Sequence, residues 1–209
     1  AKRLLGATIP AGGGAEDLER LLDLVCGHPA TAAYVAQKLC RRFVAEEPSK
    51  ELVQRVAARF SGTKGDLRET LRETLRGVGS GAPRFKRPFH FVVSALRGLA
   101  AQTQGKRGLR KYLDRMGQAS FQYPTPDGYP EEAEPWHGTL LWRWNFALEL
   151  AKGRAADARA ALDVEDREAT FRHLIGRRPA AGERRALLEA ADSREALALV
   201  LAGPAFQWF

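Results

Sequence analysis

The sequence predicts an all-α protein, an irregular multi-helix bundle of about eight or nine helices with one long ordered Pro-rich loop. Three observations carry that expectation. Apolar residues recur at helical spacing in most segments bounded by Gly or Pro, and no strand-like alternation of useful length interrupts them. Pro124, Pro126, Pro130 and Pro135, with Gly128, forbid a regular helix over residues 118–138. The 209 residues, 44% apolar and 28% charged, are enough for a packed body without disulfide staples. The expected organisation is a flexible lead-in over 1–15, a main helical body over 16–153 containing the loop 118–138, and a C-terminal helical part over 154–209 packed on the same body.

The lead-in ends in Pro10 and Gly12–Gly14. A glycine run before a helix can cradle phosphate, but Glu16 and Asp17 occupy the first turn here and no Lys follows at P-loop spacing, so a linker is the expected role. Leu18, Leu21, Leu22 and Val25 mark the apolar face of a first amphipathic helix. His28-Pro29 breaks it, His28 as a turn or capping group and Pro29 at the start of the next helix. There Ala32, Ala36, Leu39, Cys40 and Phe43 share a stripe, with Lys38, Arg41 and Arg42 on the solvated side.

Pro48-Ser49 opens a third helix with Leu52, Val53, Val56 and Phe60 inward. Asp66 and Glu69 make a capping-box-like start for a fourth, whose core positions are Leu67, Leu71 and Leu75. The loop from Gly77 to Pro83 does not fit nucleophile-elbow spacing around Ser80. Pro88 then opens the most regular helix, with Phe89, Val92, Val93, Leu96, Leu99 and Ala100 repeating; it is expected at the centre of the core.

A short helix with Leu109, Tyr112, Leu113 and Met116 follows, stopped by Gly117. After the Pro-rich loop, Gly138 or Thr139 can cap a helix with Leu140, Leu141, Trp144 and Leu148 as core candidates. Three further helices, around Phe171, Leu187 and Ala196–Leu201, precede an aromatic tail of Phe206, Trp208 and Phe209.

The formal charge of +8 is unevenly placed: +2 over residues 1–60, +1 over 61–83, +8 over 84–115 and −3 over 116–209. The basic block, Lys86, Arg87, Lys106, Arg107, Arg110 and Lys111, is expected to be answered within the chain by Asp127, Glu131, Glu132 or Glu134 of the adjacent loop. Phe85, Lys86, Arg87 and His90 lie at or just before the first turn of the Pro88 helix, where cations oppose the dipole and something acidic, whether loop or ligand, should compensate them. Only 8 of 33 basic residues are Lys, a pattern read as coding bias. Cys26 and Cys40 make no metal motif. On consecutive antiparallel helices they are staggered by about 12 Å, too far for a disulfide. Two free thiols are expected, with Cys40 buried. No apolar run reaches transmembrane length and no signal peptide opens the chain.

Catalytic motifs are sparse. His28, His90, His137 and His173 are dispersed, with no HExxH or CxxC, so neither a metal site nor a cofactor is expected. The loop and the helix after it supply the ligand-binding candidates Asp127, Tyr129, Trp136, His137, Arg143 and Asn145. Pro126-Asp127-Gly128 fits a β-turn, and Phe121, Tyr123, Tyr129 and Trp136 would pin the loop over the core. The functional alternative makes the same aromatics a stacking wall for a sugar-like ligand. Arg143 lies in an apolar helix, so a partner is required, and Asp127 or Glu134 is the expected mate.

Several passages resemble one family. HPATAAYVAQKLCRRFV from His28 to Val44, FKRPFHFVVSALRGLAA with FQYPTPDGYPEEAEPW and LLWRWNFALELA, and the closing GRRPAAGERRALLEA with ALALVLAGPAFQWF occur in the order found in the bacterial family called domain of unknown function 1800. The resemblance implies the C-terminal part of a longer domain and frequent export. It also implies a gene neighbourhood with a sulfatase-like protein of another uncharacterised family. No established catalytic residues carry over with it.

Three function classes follow. The first is a non-catalytic binding or assembly part of a larger exported bacterial protein, acting with the rest of its own domain, a sulfatase-like partner or an envelope glycan. The second is part of a hydrolase or transferase acting on envelope glycan, with its site shared with an N-terminal portion and carboxylates such as Asp127 and Glu131 as the acid and base. The third is anionic-polymer or nucleic-acid binding through the 84–115 block.

Overall fold

Helix-starting residues divide the chain at the positions their chemistry requires. The computed structural model describes residues 1–79, 83–105, 107–157 and 166–209, with the side chain of Arg107 outside that description. Ser80 and Lys106 therefore lie outside the described residues. The described chain carries ten α-helices, two short 3-10 helices and one two-stranded hairpin, an all-α architecture. Two units compose it, Ala1–Pro83 and Arg84–Phe209.

The first unit opens with a hairpin, β1 (Lys2–Leu4) paired antiparallel with β2 (Ala7–Ile9), where only a lead-in was expected. Leu5 and Gly6 both take positive φ, 49° and 81°, as a two-residue turn matched to strand twist requires. Three-residue strands are too short to leave a readable period. Then come α1 (Glu16–Cys26), α2 (Pro29–Phe43), α3 (Lys50–Gly62) and α4 (Leu67–Leu75). The predicted caps are present. His28 Nδ1 accepts from the Ala30 amide at 3.1 Å, Ser49 Oγ from Leu52 at 3.2 Å, and Asp66 Oδ1 from Arg68 and Glu69 at 2.9 and 3.0 Å.

The core of this unit joins Ala36 and Cys40 of α2 to Leu52 and Val56 of α3. Both cysteines are free, Cys40 buried and Cys26 exposed. Two helices depart from expectation. No residue of α1 is buried, and Leu18, Leu22 and Val25 lie open. In α4 the inward face is Thr70 and Thr74, while Leu67 and Leu75 are exposed. The flanking carboxylates explain the α4 orientation: Glu73 meets Arg55 at 3.5 Å and Glu69 pairs with Arg59, both arginines belonging to α3. The threonine hydroxyls donate to carbonyls one turn back, Thr70 to Asp66 at 2.6 Å and Thr74 to Thr70 at 2.9 Å, so burial leaves neither unsatisfied.

The second unit contains α5 (Pro88–Gly98), α6 (Arg107–Arg115), a 3-10 turn (Glu134–Thr139), α7 (Leu140–Ala151), α8 (Arg167–Ile175), α9 (Ala181–Glu189), α10 (Ser193–Ala202) and a closing 3-10 turn (Pro204–Gln207). As predicted, α5 is central. Phe91, Val92, Ala95 and Leu99 meet Leu109, Leu113 and Met116 of α6, Phe146 and Leu150 of α7, and Leu201 of α10. Phe91 sets its edge against Phe146 and Phe206, each at 5.8 Å. Residues 84–86 run beside the C-terminal tail, with Arg84 and Phe209 exchanging amide bonds of 2.9 and 3.0 Å and Lys86 donating to Gln207 at 2.7 Å.

Between α6 and α7 the Pro-rich segment is an ordered surface loop. Its Thr125–Gly128 turn closes with a 3.3 Å amide bond, placing Pro126 at the second position as expected.

Candidate functional site

Arg143 is the largest fully buried side chain, 1% exposed, and its contacts organise the centre of the predicted site. Nε donates to Thr139 Oγ1 at 2.9 Å, Nη1 to Gln207 Oε1 at 2.9 Å and Nη2 to the Lys86 carbonyl at 2.7 Å. The guanidinium lies 4.5 Å from the Phe85 ring centre and 5.1 Å from that of Phe91. Its partners are neutral oxygens rather than the expected Asp127 or Glu134. Burial therefore lowers its pKa to about 10, still well above neutrality.

This anchoring turns α7 away from the predicted face. With Arg143 inward, Phe146, Ala147 and Leu150 follow it into the core, while Leu140, Leu141 and Trp144 are exposed. Thr139 accepts from Arg143 and donates to the Trp136 carbonyl at 2.6 Å, so it links the turn to the helix rather than capping it.

Lys86 was expected in a surface patch but is 6% exposed. Its ammonium sits 3.7 Å from the Phe206 ring centre. Desolvation, and then the neighbouring Arg143 charge, lower its pKa to about 8. No carboxylate pairs with Lys86 among the described residues. Arg87 is half-buried, whereas Arg110 and Lys111 are exposed on α6. Among its described side chains, the predicted basic patch thus divides between buried Lys86, half-buried Arg87 and the exposed Arg110 and Lys111.

The remaining candidates are distributed along the loop. Trp136 is buried and donates from Nε1 to the Pro130 carbonyl at 3.3 Å; Tyr129 donates to the Ala119 carbonyl at 2.6 Å. Tyr123 and Tyr129 pack with ring centres 4.6 Å apart. Asp127 accepts a hydrogen bond from the Thr125 hydroxyl within the turn. His137 is exposed and meets Phe85 edge-on at 5.1 Å, and Asn145 is half-buried. Trp136 and Arg143 are brought into the fold's own fastening.

Phe121 departs from its predicted pinning role. It is 102% exposed and takes φ of 60°, the left-handed region that side chains other than Gly seldom adopt. It lines an open groove of about 1160 Å³ with Gly108, Arg110, Lys111, Asp114 and residues 119, 120 and 122. A second groove of about 250 Å³ shares Gly108 and Lys111 and adds Tyr112, Arg115, Glu149, Arg154 and Ala155. Arg115 stacks on the Trp142 ring at 4.3 Å, while Glu149 meets Arg154 at 3.4 Å and Lys152 at 3.9 Å. Arg110 and Lys111 were legible as basic residues of α6. The parts played by Phe121, Arg115 and Arg154 depend on chain approach and carry no local signal.

Among the described residues, no group of three or more His, Cys, Asp or Glu side chains could hold a metal ion, and no helix is long and apolar enough to cross a membrane. No curated protein and no solved structure matches the chain. A family model described as "Protein of unknown function (DUF1800)" matches residues 1–208, and the chain belongs to that family.

Proposed function

We propose that this chain is a non-catalytic binding module for an extended, acidic envelope glycan, held along α6 and the start of the Pro-rich loop. The observation that carries the reading is Phe121. An aromatic ring fully open to solvent contributes nothing to a core, and its positive φ costs about 1 kcal/mol or more in a residue other than Gly. That arrangement fits a ring kept available for stacking.

Arg110 and Lys111 line the same groove, and Lys111 continues into the second, where Arg115 and Arg154 add charge. An aromatic face beside cations suits sugar rings bearing carboxylates or phosphates. The shared lining favours a chain-like ligand over a compact one. Asp114 is the carboxylate in the first groove, and Glu149, in the second, is held by Lys152 and Arg154. This differs from the paired acid and nucleophile that glycoside hydrolysis uses, which supports binding over turnover.

Calorimetry at low salt with polygalacturonate, neutral dextran and single-stranded DNA of similar length tests the proposal. Binding to the acidic glycan is expected to weaken with added salt and to weaken several-fold on Phe121→Ala. Heat from neither polyanion, or a clear preference for DNA, would overturn it.

A further inference from the structure

Six arginines lie on α8, α9 and the connection between them, and four are committed to carboxylates or carbonyls of the fold, Arg185 through Glu189 at 3.9 Å. Arg167 donates through Nη1 to the carbonyls of Leu187 and Ala190 at 2.7 and 3.0 Å, satisfying the end of α9. Arg184 pairs with Glu168 at 2.7 Å. Arg177 holds both oxygens of Glu183, at 2.7 and 2.8 Å, and lies over the Phe171 ring.

Arg172 and Arg178 remain. Both are exposed, both line an open depression of about 830 Å³, and neither meets a carboxylate among the described residues. The depression's own carboxylates are engaged elsewhere: Asp166 accepts from the Ala169 amide at 2.8 Å as the α8 cap, and Glu168 is held by Arg184. Among the described residues the depression therefore keeps two guanidinium groups in surplus. Exposed Leu188 supplies an apolar wall beside them.

We infer that this depression is a binding site for a small soluble phosphomonoester, with Arg172 and Arg178 taking the phosphate and Leu188 the organic part. Guanidinium forks match phosphate oxygens two at a time. A phosphomonoester carries nearly two negative charges at neutral pH and so answers both arginines, whereas a monocarboxylate leaves one uncompensated. The site is separate from the α6 grooves, and either can fail without the other.

The test is calorimetry of the full chain with glycerol 3-phosphate, inorganic phosphate, acetate and phosphatidate vesicles. Glycerol 3-phosphate is expected to bind more tightly than inorganic phosphate, and acetate not to bind. Arg172→Gln and Arg178→Gln should each weaken the ester by about tenfold, roughly 1.4 kcal/mol, with unchanged melting curves. Arg194→Gln on α10 removes the same charge outside the depression and should leave binding intact. Equal weakening by all three substitutions would reduce the effect to overall charge and overturn the assignment. So would binding only to vesicles, or no heat from the ester at millimolar concentration.

Discussion

Arg143 Nη2 donates to the Lys86 carbonyl at 2.7 Å, and both residues are buried cations that pair with no carboxylate among the described residues. The same arginine holds Gln207 through Nη1 at 2.9 Å, so α7, the strand-like segment before α5 and the C-terminal tail meet at one guanidinium. Arg143→Met retains much of the volume but leaves Thr139 Oγ1, Gln207 Oε1 and the Lys86 carbonyl without this donor. A loss of about 3–5 kcal/mol is expected, since a buried polar group left without its partner costs about 1–3 kcal/mol and three acceptors lose this donor. Urea unfolding measures it. Arg143→Lys should recover little, because one ammonium cannot reproduce the planar fork across three acceptors.

Lys86 carries the opposite expectation. Its amine titrates near pH 8 in the folded chain, against an ordinary value of 10.5, because burial and then Arg143 disfavour the charged form. Between those values the unfolded chain binds more protons, so this group makes unfolding free energy rise with pH from about 8 to 10.5. Below pH 8 its cost is fully present. Lys86→Met should therefore raise stability at pH 7 by about 1–3 kcal/mol, less whatever the Phe206 contact returns, and should flatten the rise. Denaturation across pH 7–10 decides the matter: a less stable variant, or an unchanged slope, contradicts this account.

Thr170 on α8 presents a simpler case. Its side chain is buried, and its hydroxyl has no hydrogen-bond partner among the described residues. Thr170→Val keeps the branched shape and removes the desolvated oxygen, so stabilisation of about 1 kcal/mol is expected. A melting curve shifted downward would mean that the hydroxyl is engaged after all.

The helices were legible because their signals are local. Ser49, Asp66 and Pro88 sit one to three residues from the backbone they start, and His28 bonds the amide two residues away. The facing of α7 was not legible in the same way. Leu140, Leu141 and Trp144 make an apolar stripe as convincing as the one that is buried, and the deciding partners of Arg143 lie 57 and 64 residues away. Likewise Thr70 and Thr74 displace Leu67 and Leu75 because Glu69 and Glu73 reach arginines on α3. The Pro126 turn could be read from its own residues. Phe121 could not, since an aromatic near a core helix is ordinarily buried and only chain geometry turns it outward.

Phe121 provides the prediction in which stability and binding move in opposite directions. Its φ of 60° suits Gly, and its ring gains nothing from packing, so Phe121→Gly removes backbone strain at little cost in folded contacts. Part of that gain is lost to the larger freedom of Gly in the unfolded chain, leaving a net stabilisation of about 0.5–1 kcal/mol. If the ring serves a ligand in the α6 groove, the same substitution should weaken polygalacturonate binding several-fold. A variant that melts higher and binds equally well would assign Phe121 to the loop alone, whereas a gain in stability with a loss of affinity places the strain in the service of the groove.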